Sequence, residues 1–259
     1  MDIDKLTRGL SGGMFGKGIV FLPETDSTND RAAALAMQGA GEGTVVFADC
    51  QRSGKGRLGR TWQSPPGVNL YFSMVLRPTV DPARAAGLTV VAGVATAEAL
   101  SPYCPSPIEL KWPNDVLAGK RKICGILTEM KHSGAGIEYI VIGIGVNVNI
   151  RREHFGEDIR SRATSLREER GLDTSREDVA VSILRRLEVW YKIFLAEGFG
   201  PVRKEWIRKS GMIGRRVRVV LKEGIREGVV TGMGETGVLL LSGSGSGPIQ
   251  VISGDIEEC

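Results

Sequence analysis

A glycine-rich basic loop followed closely by two prolines limits the folds open to this chain. The loop, SGKGRLGRTW at residues 53–62, contains one match to the pattern G-x-G-x-x-G. It follows a β-branched and aromatic run at residues 44–50, which predicts a strand. A dinucleotide site also requires that a helix begin at the glycines. Pro65 and Pro66 would break such a helix within its first turns, so the sequence argues against a dinucleotide-binding βαβ unit here.

The charge of this loop points to a different ligand. A phosphate-binding P-loop needs Ser or Thr after its lysine, whereas Lys55 is followed by Gly56. Residues 50–80 carry five Lys or Arg and no Asp or Glu. Glycines let a backbone approach a ligand closely, and cations among them suit a phosphate or polyanion that is enclosed and then released. A solvated surface loop is the alternative interpretation of this stretch.

Length and composition narrow the class of protein. A chain of 259 residues holds one large domain, or a domain of about 200 residues with a small appendage. The net charge of +4 permits phosphate-bearing ligands without indicating nucleic-acid binding. The four cysteines form no C-x-x-C pair, which favours a reducing cytoplasm. We expect no apolar run long enough to span a membrane, and the two histidines lie in polar segments that argue against a Ser–His or metal–His mechanism.

The order of predicted elements indicates an α/β (α+β) protein with two parts. The first part is expected to contain helices at 28–38, 83–100 and 177–197, and strands at 19–22, 44–50, 69–77, 108–112, 122–130 and 137–149. After residue 210, four short β runs separated by glycine turns predict a small barrel. The expected domains are therefore residues 1–210 and 211–259.

A second polar cluster lies in the stretch KWPNDVLAGKRK. Pro113 interrupts the strand and fixes a turn that would present Lys111, Asn114 and Asp115 close together at a strand end. Lys122 stands at the start of the following apolar strand, where burial would be costly without an anionic partner. A purely structural alternative is that Asp115 pairs with Lys111 while Asn114 caps the turn.

Two further stretches carry polar or charged groups that allow either a binding or a structural interpretation. In GIGVNVN, Asn147 and Asn149 end an apolar run, and such amides can pair with the edge of a base or satisfy local backbone groups. Residues 203–227 hold nine Lys or Arg against three Glu, a balance of +6. That surface could meet an acidic protein or a nucleic acid, and a plain solvated face is the alternative.

Taken together, these stretches resemble the biotin protein ligase family, enzymes that attach biotin to a lysine of carboxylase carrier domains. ETDSTND, QRSGKGRLGRTW, KWPNDVL, KRKICGIL and GIGVNVN occur in the order and spacing of that family and cover nearly the whole chain. The resemblance implies a mixed β-sheet flanked by helices, related to class II aminoacyl-tRNA synthetases, followed by a small SH3-like β-barrel. It also implies that the glycine loop is a mobile clamp on a reactive adenylate.

The resemblance assigns roles to individual positions. Biotin contacts are implied for Ser27, Thr28, Asn29, Gln51, Lys55, Gly56, Arg57, Lys122 and Gly125. Contacts to ATP or the adenylate are implied for Arg57, Arg60, Trp62, Lys111, Asn114, Lys122 and Asn147. Catalytic roles are implied for Lys122, Arg57, Lys111 and Asp115, the last as a group that orients the acceptor amine, takes its proton or binds Mg²⁺. Lys55 departs from the family, which commonly has Arg there, and lysine lacks the planar fork of arginine.

The implied reaction uses ATP, biotin and Mg²⁺. The implied partner is the biotin carboxyl carrier protein of acetyl-CoA carboxylase or of a related biotin-dependent carboxylase. A cytoplasmic enzyme without membrane attachment is expected, with a homodimer as one expectation. Sequence-specific DNA binding is not expected, because repressor members carry a winged-helix domain and fewer than 20 residues precede the first strand here. A lipoate ligase, a DNA-binding repressor and an RNA-binding module that uses the basic segment are the alternatives.

Overall fold

The computed structural model describes residues 1–134, 136–221, 224–243 and 247–258. The helices are α1 Ile3–Leu10, α2 Thr28–Met37, α3 Pro82–Ala85, α4 Leu88–Leu100, α5 Leu166–Arg170, α6 Arg176–Glu197 and α7 Gly200–Lys209. The strands are β1 Gly18–Thr25, β2 Thr44–Gln51, β3 Leu70–Leu76, β4 Ile108–Lys111, β5 Asp115–Ala118, β6 Arg121–Ser133, β7 Gly136–Val146, β8 Arg216–Leu221, β9 Gly224–Met233, β10 Leu239–Leu241, β11 Ile249–Val251 and β12 Asp255–Glu258. Three cysteines are free thiols, and Cys259 lies outside the described residues.

The larger sheet confirms the predicted mixed sheet flanked by helices. Its seven strands follow the order β1-β2-β3-β7-β6-β5-β4. The pair β1–β2 is parallel, and the other neighbours are antiparallel. Every residue of β3 is buried, so both faces of the sheet are covered at its centre. The hairpin of β6 and β7 lies beside β3 and brings the ends of several strands to one region.

Helices α4 and α6 pack together over the sheet and form much of the core. The sequence of α4, LTVVAGVATAEAL, is apolar on nearly all sides, as expected for a helix enclosed by other elements. The predicted helix 83–100 is instead divided at Ala86 and Gly87 into α3 and α4. A Cβ on Gly87 would lie 2.9 Å from the Phe199 ring, so a close approach of the two segments requires glycine there.

By length and composition alone, one helix is long and apolar enough to span a membrane, although the sequence analysis expected no such run. Pro82–Tyr103 contains 22 residues and reaches a mean hydropathy of 1.3. However, 72% of its most apolar stretch is buried inside the protein, as in the core helix of a soluble protein. The apolar character of this segment is therefore accounted for by packing against α6 and the sheet.

The second sheet contains five antiparallel strands in the order β11-β10-β9-β8-β12. Its apolar side chains, Val217, Val219, Val230, Leu239, Leu241 and Val251, join the same hydrophobic core as α4 and the large sheet. Polar contacts link the two sheets as well, because the Trp112 indole N–H donates to Gly237 O at 3.0 Å. The sequence predicted four of these strands and missed β12, which is short and ends in acidic residues.

Helices α1, α5 and α7 were not predicted from the sequence. Helix α1 has ordinary signals, since the Asp2 carboxylate accepts the Lys5 N–H at 2.8 Å as an N-cap and Leu6 and Leu10 form a buried stripe four residues apart. Helix α7 begins after Gly198 with Pro201 in its first turn. Its burial rests on Val202 and Trp206, which lie against the core.

The packing of α6 predicts a contrast between two leucines of that helix. Leu187 is 1% exposed in the core, whereas Leu195 is 43% exposed. We expect Leu187→Ala to lower the free energy of unfolding by about 2–5 kcal/mol through lost burial and a cavity. The matched control Leu195→Ala should change it by about 0.5 kcal/mol or less. Urea denaturation followed by circular dichroism measures both, and equal losses would contradict this account of the core.

Candidate active site

One cavity of about 1260 Å³ is lined by every residue to which the resemblance assigned a role. It lies among the start of α2, the end of β2, the glycine loop, the β4–β5 turn and strands β6 and β7. The predicted residues that line it are Ser27, Thr28, Asn29, Gln51, Lys55, Gly56, Arg57, Arg60, Trp62, Lys111, Asn114, Asp115, Lys122, Gly125 and Asn147. Their roles toward a ligand stay predictions, but their convergence is a property of the fold.

A buried network of neutral polar groups forms one end of the cavity. The Thr28 N–H donates to Gln51 Oε1 at 2.8 Å, and the Gln51 amide donates to Ser64 Oγ at 2.9 Å. The Thr28 hydroxyl also lies 2.7 Å from Ser73 Oγ. Because buried polar groups are stabilised only when they are paired, these bonds hold the side chains in fixed orientations.

Asn29 extends this network across the sheet. Its Nδ2 donates to Glu129 Oε2 at 2.6 Å, and its Oδ1 accepts from Ser73 Oγ at 2.6 Å. A Cβ on Gly143 would lie 2.0 Å from Asn29 Oδ1, so only glycine leaves room for this amide. The sequence reasoning missed Ser73 and Glu129. Ser73 does have a signal, since it is the one polar residue in the buried run LYFSMVL.

Lys122 and Asp115 form an ion pair near the middle of the cavity. The Lys122 ammonium lies 2.6 Å from Asp115 Oδ1, and both side chains are partly buried. Lys122 therefore has the anionic partner that its position requires. The structural alternative of an Asp115–Lys111 pair is wrong. Within the described residues, Lys111 forms no ion pair, and it is one of the residues that line the cavity.

The Trp62 indole lies against the backbone of two neighbouring strands. A Cβ on Gly145 would lie 2.5 Å from Trp62 Nε1, and one on Gly125 would lie 2.9 Å from its ring. The two glycines are paired in the β6–β7 register, which makes a flat surface for the ring. Lys122 Nζ lies 5.3 Å from the ring centroid, within the range of a cation–π contact.

The asparagines near the cavity are held by backbone groups. Asn114 Nδ2 donates to Ile126 O at 2.7 Å, and Asn147 Nδ2 donates to Thr164 O at 3.0 Å. Asn149 bonds Thr174 through both of its amide atoms, so the local structural interpretation holds for it. For Asn114 and Asn147 the same bonds fix the amide plane, and their contact with a base stays a prediction.

The glycine loop folds back on itself instead of opening a helix. The Trp62 N–H donates to Gly54 O at 2.8 Å, and the Gly56 N–H donates to Arg60 O at 2.7 Å. A single 3₁₀ turn at Arg57–Gly59 forms its tip, where Leu58 has φ of 56°. The loop therefore does not open a dinucleotide-binding helix, as its two following prolines predicted.

The basic side chains of residues 50–80 separate into two groups. Arg77 lies away from the loop and donates to the carbonyls of helix α2 and of β7, and Arg52 pairs with acidic residues at the end of β1. Lys55, Arg57 and Arg60 enter the cavity. Lys55 forms an ion pair with Asp30, and this hydrogen bond raises the pKa of its ammonium.

The two arginines of the loop contact the second sheet. The Arg60 guanidinium forms a two-point pair with Asp255, with Nη1 3.2 Å from Oδ1. Arg57 Nη1 lies 3.5 Å from Gly254 O, and burial lowers the pKa of the Arg57 guanidinium. Arg57 is the most enclosed cation of the loop, so an anion bound beside it would interact strongly with its charge.

The described part of the chain contains no group of three or more metal-binding side chains. Asp115 is the predicted metal ligand, and one of its oxygens faces Lys122. A resident metal centre therefore has too few ligands among these residues, and a divalent cation would need oxygens from a bound substrate.

Comparisons with known proteins identify the family of this chain. The model of the Biotin/lipoate A/B protein ligase family matches residues 21–147. The Bifunctional ligase/repressor BirA of Bacillus spizizenii is 34% identical over 96% of this chain and 76% of its own length. The Biotin--[acetyl-CoA-carboxylase] ligase of Paracoccus denitrificans is 33% identical over 86% of this chain and 93% of its own length. The chain belongs to the biotin protein ligase family.

A solved biotin protein ligase extends the likeness to three dimensions. The Aquifex aeolicus enzyme, in complex with biotin and ATP, superposes with a TM-score of 0.79 and is 34% identical. The match covers 93% of this chain and 98% of that one, so both sheets of this biotin protein ligase family member are included.

The contact between Trp62 and β7 predicts a specific steric cost. We expect Gly145→Ala to lower the free energy of unfolding by about 1–3 kcal/mol, because the new methyl group meets the indole. Gly232→Ala is the control, since a Cβ there meets nothing within 4 Å. The cost of Gly145→Ala should shrink in a Trp62→Ala background. Equal costs for the two glycine variants in urea denaturation would mean that Trp62 is not held against β7.

Proposed function

We propose that this protein is an ATP-dependent biotin–protein ligase. It converts biotin and ATP into biotinyl-5′-AMP and pyrophosphate, and then transfers biotin to a lysine of a carrier protein. The observation that carries the proposal is the single cavity in which three loop cations, the Lys122–Asp115 pair and a buried neutral network meet. A lipoate ligase is disfavoured, because the Paracoccus denitrificans relative and the Aquifex aeolicus enzyme are both named for biotin.

The buried neutral network is suited to the uncharged ring of biotin. Thr28 and Gln51 offer hydroxyl and amide groups whose orientations are already fixed. Asn29 is held behind them by Ser73 and Glu129. We propose that Ser27, Thr28 and Gln51 hydrogen-bond the ring and that Gly125 leaves room for it. Fixed partners reduce the ordering cost of binding.

The cations of the cavity are suited to the adenylation step. The carboxylate of biotin attacks the α-phosphorus of ATP, an O–P bond forms, and the bond to pyrophosphate breaks. At about 4 Å and an effective dielectric near 20, each repulsion between unit charges costs roughly 4 kcal/mol. Lys122 is proposed to lie between the carboxylate and the α-phosphate, with Lys111, Arg57 and Arg60 on the other phosphate oxygens. Mg²⁺ enters with ATP as part of that substrate and offsets phosphate charge.

The adenine end of ATP would use the groups held by the strands. Trp62 offers an aromatic edge beside β6 and β7. Asn114 and Asn147 have amide planes fixed by backbone bonds and lie on the cavity wall. We propose that these three residues contact the adenosine part of the adenylate. Lys55 and Gly56, which belong to the glycine loop, would cover the bound biotin, as the resemblance implies.

The transfer step requires a neutral amine on the carrier. A lysine with a pKa near 10.4 lies about 3.4 units above pH 7, so deprotonation costs roughly 4.6 kcal/mol. Asp115 is proposed to orient this amine or to receive its proton. Since one oxygen of Asp115 faces Lys122, the proton would go to the other oxygen, and the pair would keep the carboxylate in place. The amine nitrogen then bonds to the biotin carbonyl carbon, and AMP leaves.

Several finer features belong to the same proposal. We propose a catalytic domain at residues 1–210 that is related to class II aminoacyl-tRNA synthetases. Residues 211–259 would form an SH3-like barrel, supported by five short antiparallel strands. The partner would be the biotin carboxyl carrier protein of acetyl-CoA carboxylase or a related carboxylase. A cytoplasmic location, a homodimer and the absence of operator DNA binding stay predictions.

Removal of the Lys122 ammonium tests the proposed adenylation. We expect Lys122→Ala to reduce biotin-dependent ATP–pyrophosphate exchange by about 100-fold or more, because one charge at the reacting centre is lost. Lys17→Ala is the control, since Lys17 is an exposed lysine outside the cavity. Exchange driven by lipoate but not biotin in the wild-type enzyme would overturn the substrate. A loss no larger than that of the control would overturn the role of Lys122.

The departure at Lys55 predicts how firmly the adenylate is retained. We expect Lys55→Arg to slow the escape of biotinyl-AMP about threefold to tenfold, because arginine adds a planar fork of donors. Loss of radiolabelled biotinyl-AMP from the enzyme after a chase with unlabelled biotin measures this rate. Lys131→Arg, on an exposed strand end, is the control. Faster escape from Lys55→Arg would show that lysine is the better residue in this loop.

A further inference from the structure

The glycine loop is attached to the second sheet through Asp255. Arg60 presents Nη1 and Nη2 to the two carboxylate oxygens of Asp255, which gives a two-point pair between residues 195 positions apart. Beside it, Arg57 Nη1 approaches Gly254 O at 3.5 Å. Asp255 also lines the cavity that contains Lys122. None of the sequence motifs includes this residue, since β12 was not predicted.

The position of Asp255 is set by the packing of the second sheet. Gly254 has φ of +155°, and a Cβ there would lie 2.7 Å from Val219 and 2.9 Å from Leu221. The turn before β12 therefore packs tightly on β8, and Asp255 then pairs in register with Val220. The carboxylate is 30% exposed, against 64% for the Arg60 side chain. Asp255 is thus the more fixed partner, and Arg60 is the one that it orients.

The Arg60–Asp255 pair contributes more to the orientation of the guanidinium than to the stability of the fold. Ion pairs this exposed to solvent contribute little to folding, because water screens them and two long side chains lose freedom. A two-point pair nevertheless fixes the plane of a guanidinium. Arginine has five N–H donors, so a pair that uses two of them leaves three for another anion. Asp255 can therefore hold Arg60 without preventing a phosphate from binding it.

We propose that Asp255 is a positioning residue for the adenylation step. It holds the Arg60 guanidinium at the cavity so that the remaining donors meet the phosphates of ATP, and it thereby makes ATP binding depend on the second sheet. This inference rests on the proposed function, since it assumes that the glycine loop binds ATP and explains what orients one of its arginines. Asp255 acts through Arg60 and does not itself contact the reacting atoms.

Asp255→Asn tests the proposal, because it keeps the shape of the side chain and removes its charge. We expect the KM for ATP in pyrophosphate exchange to rise roughly tenfold, with the KM for biotin unchanged, because the loop cation is misplaced. The midpoint of thermal unfolding should stay within about 2 °C of wild type, since the pair is solvent-exposed. The control is Glu227→Gln in the same sheet, which lies beside Arg218 outside the cavity and should leave both KM values unchanged.

A double-mutant cycle with Arg60→Ala separates positioning from a direct role. If Asp255 acts through Arg60, adding Asp255→Asn to Arg60→Ala should not raise the KM for ATP further. Additive effects would overturn the proposal in favour of a direct contact between Asp255 and substrate. A lower KM for ATP in Asp255→Asn would overturn it, because the pair would then keep Arg60 from binding ATP. An unchanged KM would reject it outright.

The same assay keeps this inference distinct from the proposed function. Failure of the wild-type enzyme to exchange pyrophosphate with biotin would count against the proposed function. Normal wild-type exchange with no change in Asp255→Asn would count against the positioning role alone.

Discussion

The close approach of Trp62 to the paired glycines of β6 and β7 is the constraint on which the site depends. Side chains larger than hydrogen at Gly125 or Gly145 would fill the surface on which the indole rests. With the ring in place, the loop returns across the sheet through the bond from the Trp62 N–H to Gly54 O. Lys122 then lies beneath the same ring and beside Asp115. The space left by these two glycines thus fixes the position of the glycine loop on the sheet.

The apolar core explains why polar groups converge at one edge. Helices α4 and α6 cover the sheet, so strands β3 and β7 are buried along most of their length. Most buried polar side chains need hydrogen-bond partners, and Ser73 and Asn29 bond each other. Asn29, at the start of α2, also lines the cavity. The burial that stabilises the fold therefore also restricts where ligand-binding groups can be placed.

Local patterns predicted the elements whose signals lie within one stretch of chain. Strands β6 and β7 and helix α6 were predicted from their own stretches of sequence, and all three are confirmed. The need of Lys122 for an anion also followed from its position before an apolar run. Its partner did not, because the pairing with Asp115 depends on the β5–β6 register and its irregularity after Val116. The close approach of Gly87 to the Phe199 ring was not predicted either, because the two residues are distant in sequence.

The contact between Arg60 and Asp255 shows why some site residues have no sequence signature. Their separation of 195 residues is bridged only because the second sheet shares its core with the first. A carboxylate at the start of a short, acidic strand looks like any surface charge until that packing is known. The loop glycines permit closure, but they give no direction to the cations between them. The orientation of these cationic side chains has to come from a rigid element outside the loop. The turn at Gly254 is such an element, because it packs tightly on β8 and places Asp255 at the cavity.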